Sequence, residues 1–323
     1  MNNLLTKQGT YGKKSIGQKI FDKKSKIYYN FFMKYLLFVF LFISNLYSEF
    51  NFINDYTIKE PDIKITTPII SFEPIKYSIP ENLEGEKLFD YLHEITKQQV
   101  VLTYDESKQK IFYDVDNTLC PSGKNGVWEF YSNICIEGKY NSGNKYIEYG
   151  DMNLDGYIDS KGMNIEHIWP QGYFNRNYPM VSDLNHLRPT FITPNNKRAN
   201  FPFYYVTNPV YIVGSSGARL GNGYFEPPDK VKGDVARVLF YFVVRYYDRS
   251  ISSSMDYDNF FISKIKTYML WNRLDPPDDD EKRRNDLVYK YQGNRNPFID
   301  NPELIEKIGE VTWSKKRPKI IEP

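Results

Sequence analysis

The chain has 323 residues, a formal net charge of +2 and two cysteines. That length admits one large domain or two small ones. The near-neutral charge gives no general support for nucleic-acid binding, so any phosphate-binding surface must be local. Aromatic residues make up 17% of the sequence, enough to build a sizeable core in which tyrosine hydroxyls point outward.

The first 48 residues join a basic segment to a short apolar run. They hold eight lysines against one acidic residue, Asp22, so the remainder of the chain is net acidic. The apolar run, YLLFVFLFISNL over residues 35–46, is well short of the roughly 20 residues that span a membrane. It is typical of a signal peptide, so we expect cleavage near residue 48 and a secreted or periplasmic protein. A retained N-terminal anchor is the competing interpretation, and Met33 is a second candidate start.

The rest of the chain predicts a leader followed by a helix-dominated domain. Prolines recur through residues 49–84 and indicate an extended leader. Apolar residues at helical spacing then predict helices over 87–99, 234–247, 261–273 and 286–291, and a last one ending at 308. Glycines at 214–223 indicate a turn or hairpin, and His93 is expected to be structural or solvated. We expect one α+β domain over residues 85–312 and a basic tail over 313–323.

The two cysteines, Cys120 and Cys135, lie fifteen residues apart in a stretch rich in glycine and tyrosine. In an exported protein such a pair favours a disulfide that closes the intervening loop. Two buried free thiols are the alternative.

Residues 151–159 match the start of an EF-hand-type calcium loop. Position 12 of such a loop should be a bidentate glutamate, but it is Gly162 here. A structural Ca²⁺ is therefore one interpretation, and a turn whose side chains cap its own backbone is the other. The candidate calcium ligands are Asp151, Asn153, Asp155, the Tyr157 carbonyl and Asp159.

Residues 163–203 hold two of the three histidines, His167 and His186. Short strands are predicted over 164–168 and 184–188. A helix is predicted to begin at Pro194, with Thr193 as its N-cap.

Three side chains of this stretch suggest metal-assisted hydrolysis. The Glu166 carboxylate and the Asn195 amide oxygen are ligands that suit Mg²⁺, which keeps several waters. His167 can take a proton from water without binding the metal. The alternative is a purely structural role, in which Glu166 and His167 lie at a sheet edge and Asn195 is an ordinary residue of a capped helix.

The order of the motifs adds a second argument. Glu-His-x-x-Pro lies at 166–170, Asp-Leu-x-His-Leu-x-Pro at 183–189 and Asn-x-x-Arg-x-Asn at 195–200. Together with segments at 225–237 and 292–300, these motifs resemble the endonuclease I family, secreted bacterial nucleases of the His-Me finger (ββα-metal) superfamily. This chain departs from the family pattern at one position of the second motif. Asn185 occupies the place of the family's first histidine, and His186 follows one residue later.

The resemblance implies a ββα-metal core inside a helix-dominated α+β domain. His167 would be the general base, and Glu166 and Asn195 would hold one Mg²⁺. Water activated by His167 would attack phosphorus and leave a 5′-phosphate. Arg176 is the candidate for neutralising the phosphate. Two further arginines are candidates for nucleic-acid binding, Arg188 and Arg198.

We therefore expect a secreted, sequence-nonspecific, Mg²⁺-dependent endonuclease. Its expected substrate is DNA, with RNA as a further candidate, and no obligate protein partner is evident, so a monomer is expected. Low specificity fits contacts to phosphate and sugar, which carry no direct sequence information. The alternative is a non-catalytic extracellular nucleic-acid-binding protein on a nuclease-like fold. The presence of Glu166, His167 and Asn195 favours the enzyme.

Overall fold

The computed structural model describes residues 74–137 and 163–319, which belong to one unit, Ser71–Pro323. The expected signal peptide, most of the leader and the candidate calcium loop at 151–159 lie outside the described residues. No helix within the described ranges is long and apolar enough to cross a membrane.

The domain opens with helices and a small sheet. The helices are α1 (Gly85–Thr96), α2 (Tyr104–Lys110) and a π-helical turn (Ile111–Val115). An antiparallel sheet follows, made of β1 (Asn117–Leu119), β2 (Asn125–Trp128) and β3 (Cys135–Glu137). A disulfide joins Cys120, just after β1, to Cys135 in β3. The expected bridge is thus present, and closing a loop of this length stabilises the fold by about 3 kcal/mol in the chain-entropy account.

The stretch predicted to carry the chemistry folds into two antiparallel strands and a helix. These are β4 (Met163–His167), β5 (Leu187–Phe191) and α3 (Ile192–Arg198). Two short 3₁₀ helices, Gln171–Phe174 and Met180–Ser182, lie in the connection between the strands. The order strand, loop, strand, helix agrees with the sequence-based expectation.

The predicted boundaries within this unit were wrong by a few residues. Helix α3 begins at Ile192 directly after the strand, and its N-cap residue, Phe191, makes no side-chain cap. Thr193 and Pro194 therefore lie inside the first turn, where proline is tolerated because the first N–H groups have no intrahelical partner. Strand β5 begins three residues later than predicted, which leaves His186 in the preceding loop.

A second antiparallel sheet and a run of helices complete the domain. The predicted hairpin region forms β6 (Tyr211–Ile212), β7 (Arg219–Gly221) and β8 (Tyr224–Glu226). The helices are α4 (Lys232–Tyr246), α5 (Tyr257–Phe260), α6 (Ile265–Leu274), α7 (Asp279–Gln292), α8 (Pro297–Asp300), α9 (Leu304–Ile308) and α10 (Glu310–Lys315). This mixture of helices and small sheets agrees with the expected α+β class.

Helix α4 forms the centre of the core, and every residue in it except Asp234 is buried. It packs against α1 and α6. The approach to the end of α6 is so close that a Cβ at Gly233 would lie 1.9 Å from the Asp275 carbonyl oxygen, so only glycine fits there. Trp169, two residues after β4, stacks on Phe242 of α4 with ring centroids 5.0 Å apart. The core thereby fixes the position of the chain that leaves β4.

Candidate active site

A pocket of about 630 Å³ lies where β4, the loop that follows it and α3 meet. The predicted base, both predicted metal ligands and two of the three predicted arginines line it. These residues are Glu166, His167, Arg176, Asn195 and Arg198.

His167 is buried in the pocket wall, and its hydrogen bond fixes the tautomer. Its Nε2 lies 3.1 Å from the Val181 carbonyl oxygen. A carbonyl can only accept, so Nε2 carries the hydrogen and Nδ1 holds the free lone pair. Burial, with the neighbouring His186, lowers the pKa of His167 to about 3. The imidazole is therefore neutral near pH 7, the state that a general base requires.

His186 is the neighbour of this base, and it lies behind it. The two ring centroids are 5.3 Å apart. The Nε2 of His186 donates to the Met180 carbonyl oxygen at 2.6 Å, and its buried Nδ1 has no partner among the described residues. Burial lowers the pKa of His186 to about 4. His186 is therefore a neutral support for the pocket wall.

The His186→Gln variant is expected to change the pH dependence of stability. The pKa of His186 is lower in the folded protein than its ordinary 6.5, so its contribution to stability is complete above pH 6.5 and is lost as the pH falls toward 4. One such group changes the free energy of unfolding by about 1.4 kcal/mol per pH unit in that window. Glutamine can still donate to Met180 but does not titrate.

Urea unfolding in EDTA at a series of pH values measures this contribution. Burial raises the pKa of Glu166, which makes the free energy of unfolding change with pH in the opposite direction. The contribution of His186 is therefore the difference in free energy of unfolding between wild type and variant at each pH. A variant whose stability falls with pH as steeply as that of the wild type would show that His186 is not a buried neutral histidine.

Glu166 is held by an ion pair with Arg198. Arg198 Nη1 lies 2.7 Å from Glu166 Oε1, and each side chain is only 1% exposed. Arg198 also donates to the carbonyl oxygens of His167 and Ile168, at 3.0 and 2.7 Å. Burial raises the pKa of Glu166 to about 7, while the Arg198 charge opposes that rise. These contacts occupy Arg198 inside the protein and hold Glu166 in place, and the role of Arg198 in nucleic-acid binding stays a prediction.

Asn195 lies on α3, across the pocket from the strand end. Its Nδ2 donates to the Ile165 carbonyl oxygen at 3.2 Å, which leaves Oδ1 as the atom available to a ligand. One carboxylate and one amide oxygen suit Mg²⁺, because this ion prefers oxygen ligands and keeps several waters. The described residues contain no group of three or more His, Cys, Asp or Glu arranged to hold a metal. A metal at this pair would take its remaining ligands from water and substrate.

The two remaining candidate arginines lie in different places. Arg176 is exposed at the pocket, with its backbone in the left-handed region at φ 55°. Arg188 is buried and donates to the Asn185 and Leu187 carbonyl oxygens. It lines a second pocket of about 390 Å³, together with several carboxylates. The structure thus brings Arg176 to the candidate site and does not bring Arg188 there, and the nucleic-acid-binding role of Arg188 stays a prediction.

Asp183 begins the second motif, but no role was predicted for it from the sequence. It is fully buried, and its Oδ2 accepts hydrogen bonds from the hydroxyls of Tyr241 and Tyr246, each at 2.8 Å. Its Oδ1 accepts from Asn185, through both the backbone and side-chain amides, and from Gln292. Asn185, the departure from the family pattern, is therefore one of the donors to this carboxylate. The network fixes the loop at 180–186, whose carbonyl oxygens hold both imidazoles.

The fold and this pocket together define a class of protein. The strand–strand–helix unit presents a neutral imidazole, a carboxylate, an amide oxygen and an exposed guanidinium, which suits hydrolysis of a phosphate ester. Residues 85–303 match the sequence model of the family described as Endonuclease I. The chain belongs to the endonuclease I family.

Several relatives are named as extracellular nucleases. The chain is 33% identical over 251 residues to an extracellular ribonuclease from Bacillus subtilis (strain 168), covering 72% of this chain and 77% of that protein. It is 38% identical over 164 residues to an extracellular ribonuclease from Bacillus amyloliquefaciens, covering 45% and 53%. It is 31% identical over 130 residues to an extracellular deoxyribonuclease from Aeromonas hydrophila, covering 39% and 51%.

Proposed function

We propose that this protein is an exported, Mg²⁺-dependent endonuclease that hydrolyses phosphodiester bonds in DNA and RNA without sequence specificity. The observation that carries the proposal is the meeting of Glu166, His167 and Asn195 in one pocket, in the order of the family's motifs. Export is supported by the apolar run at 35–46 and by relatives named as extracellular. The names of the relatives include both nucleic acids, which supports activity on each.

In this proposal β4, β5 and α3 form the ββα-metal core, and the side chains divide the work. Nδ1 of His167 takes a proton from the water that attacks phosphorus, and the 3′ oxygen leaves, so the product carries a 5′-phosphate. Glu166, fixed by Arg198, and Asn195 Oδ1 would hold Mg²⁺. In that position Mg²⁺ would supply positive charge to stabilise the transition state and the leaving oxygen. Arg176 pairs with a phosphate oxygen at the pocket mouth.

The test is hydrolysis of supercoiled plasmid and of a long RNA, each with Mg²⁺ and with EDTA. We expect nicking and then fragmentation with Mg²⁺ only, and products that a ligase can rejoin because they carry 5′-phosphate and 3′-hydroxyl ends. Binding of either polymer without hydrolysis would favour the non-catalytic alternative. Cleavage that EDTA leaves unchanged would remove the metal from the proposal.

The Glu166→Ala and Asn195→Ala variants are expected to need more Mg²⁺. Each loses one oxygen ligand, and we expect the half-saturating Mg²⁺ concentration to rise by at least about 10–100-fold, the size of effect known for supporting residues of metal sites. Activity titrated against Mg²⁺ measures it, and calorimetric titration of Mg²⁺ into the protein measures it without substrate. Asn196→Ala is the matched control, because Asn196 lines the same pocket one residue later. An unchanged half-saturation would exclude that side chain from the metal site.

A further inference from the structure

Two tyrosines form an aromatic wall of the candidate active site. Tyr104 and Tyr178 line the same pocket as His167. The ring of Tyr104 covers the base, with centroids 5.7 Å apart. Tyr178 differs from the buried aromatic rings behind the site, such as Phe174, because it is 50% exposed. A large flat apolar surface is thus left open to solvent beside the proposed catalytic groups.

Although exposed, Tyr178 is held in place at both ends. Its hydroxyl accepts a hydrogen bond from the backbone N–H of Tyr104 at 3.1 Å. Tyr104 is the first residue of α2, where the backbone N–H has no partner within the helix. On the backbone side, the Asn177 N–H donates to the Phe174 carbonyl oxygen and the Val181 N–H to that of Asn177. Because the ring is already ordered, a ligand that packs on it loses little side-chain entropy.

The surroundings indicate what would pack on this ring. Arg176, two residues earlier, presents an exposed guanidinium at the same pocket. One short segment therefore offers both a positive charge that can bind an anion and a ring on which an aromatic group can stack. A nucleotide combines these two features, since its phosphate and base lie within one residue of the polymer. Bases stack on aromatic side chains without regard to sequence, because every base has a π-face. Bases within a duplex are covered by their neighbours, so such stacking needs an unpaired base.

We propose that Tyr178 is the stacking platform of a nucleobase subsite beside the scissile phosphate, which makes single-stranded DNA and RNA better substrates than duplexes. The subsite rests on the proposed nuclease function and adds to it the strandedness of the substrate. It leaves low sequence specificity intact, because the platform contacts the face of the base and not its edges.

The test compares Tyr178→Ala and Tyr178→Phe on single-stranded and duplex oligonucleotides. Affinity is measured by fluorescence anisotropy in EDTA, which needs no catalysis, and hydrolysis is measured separately with Mg²⁺. We expect Tyr178→Ala to weaken single-strand binding by roughly 5- to 150-fold, the equivalent of losing one stacked base, and to leave duplex binding unchanged. Tyr178→Phe should keep most of the affinity, since the ring remains. Tyr113→Ala is the control, because Tyr113 is similarly exposed at 41% and does not line this pocket.

Oligonucleotides with one abasic position test the base itself. Wild type should lose affinity when the contacted base is missing, and Tyr178→Ala should not respond to that change, in both deoxy- and ribo-oligonucleotides. If wild type ignores the abasic position, or Tyr178→Ala weakens all polymers equally, the subsite is overturned. A loss confined to ribo-oligonucleotides would assign the ring to the sugar and would also overturn it. A further outcome is that affinity in EDTA falls at the abasic position only when Tyr178 is present, and yet wild type hydrolyses nothing in Mg²⁺. That result would support the subsite and overturn the proposed nuclease function.

Discussion

The His167→Ala variant is expected to hydrolyse DNA and RNA about 10²–10⁴-fold more slowly than wild type, the usual effect of losing a general base. The fall should appear in kcat, with KM and the Mg²⁺ requirement nearly unchanged. The reason is geometric: Nε2 is bonded to the Val181 carbonyl oxygen, so Nδ1 is the ring nitrogen left with a lone pair that can take a proton. Kinetics on a single-stranded oligonucleotide, together with the Mg²⁺ titration, give all three quantities.

His93 offers a matched control for that substitution. It is buried to a similar degree, 3% exposed against 4% for His167, and its Nδ1 also bonds a backbone carbonyl oxygen, that of Val244. It lies on α1 and not in the candidate pocket. His93→Ala should therefore lose stability as His167→Ala does and keep its kcat. A His167→Ala variant with the wild-type rate would mean that another group takes the proton.

The expected residues meet in one pocket because they lie on local elements that pack directly against one another. Glu166 and His167 end β4, and Asn195 lies in the short helix that follows β5 directly. The register pairs Met163 with Phe191, so α3 begins beside the start of β4, and it packs back against that strand, where Asn195 donates to the Ile165 carbonyl oxygen. The boundary errors of a few residues left this outcome intact.

The roles of the arginines were harder to predict, because they depend on contacts distant in sequence. Arg188 and Arg198 are both nearly fully buried. Arg198 pairs with Glu166, whereas Arg188 donates to backbone carbonyl oxygens beside a second pocket. Motif spacing cannot separate these outcomes. Tyr178 was missed for the same reason, since its partner is the backbone of Tyr104, 74 residues earlier.

Helix α7 shows how polar segments escape periodicity arguments. The sequence predicted a helix only over 286–291, whereas the helix begins at Asp279. Its first half has no apolar stripe. The Asp278 side chain caps it by accepting from the Glu281 N–H, and buried ion pairs tie it to the domain. Glu281 pairs with Arg237 at 2.5 Å, and Arg284 pairs with Asp116 at 2.9 Å. Those partners lie on other elements, so only the folded structure shows why this half is helical.

The Asp183→Asn variant is expected to lose roughly 1–3 kcal/mol of stability for each buried donor that it leaves without an acceptor. The carboxylate accepts hydrogen bonds from two tyrosine hydroxyls and from Asn185 and Gln292. An asparagine amide turns one acceptor into a donor, so at least one buried donor is left without a partner. Urea unfolding in EDTA measures the loss. Asp256→Asn is the control, because this exposed N-cap aspartate can be replaced by asparagine, an equally good cap.

A double-mutant cycle with Tyr246→Phe tests whether Asp183 acts through this network. Tyr246→Phe alone removes one hydrogen bond to a carboxylate and should cost about 1.5–3 kcal/mol. In the Asp183→Asn background it should cost clearly less, because the charged acceptor has already gone. Below the unfolding transition, Asp183→Asn should also lower kcat more than it changes KM, since the network fixes the loop whose Val181 carbonyl orients His167. Additive losses in stability would show that Asp183 does not anchor the loop through Tyr246. An unchanged kcat would show that Asp183 does not position the base.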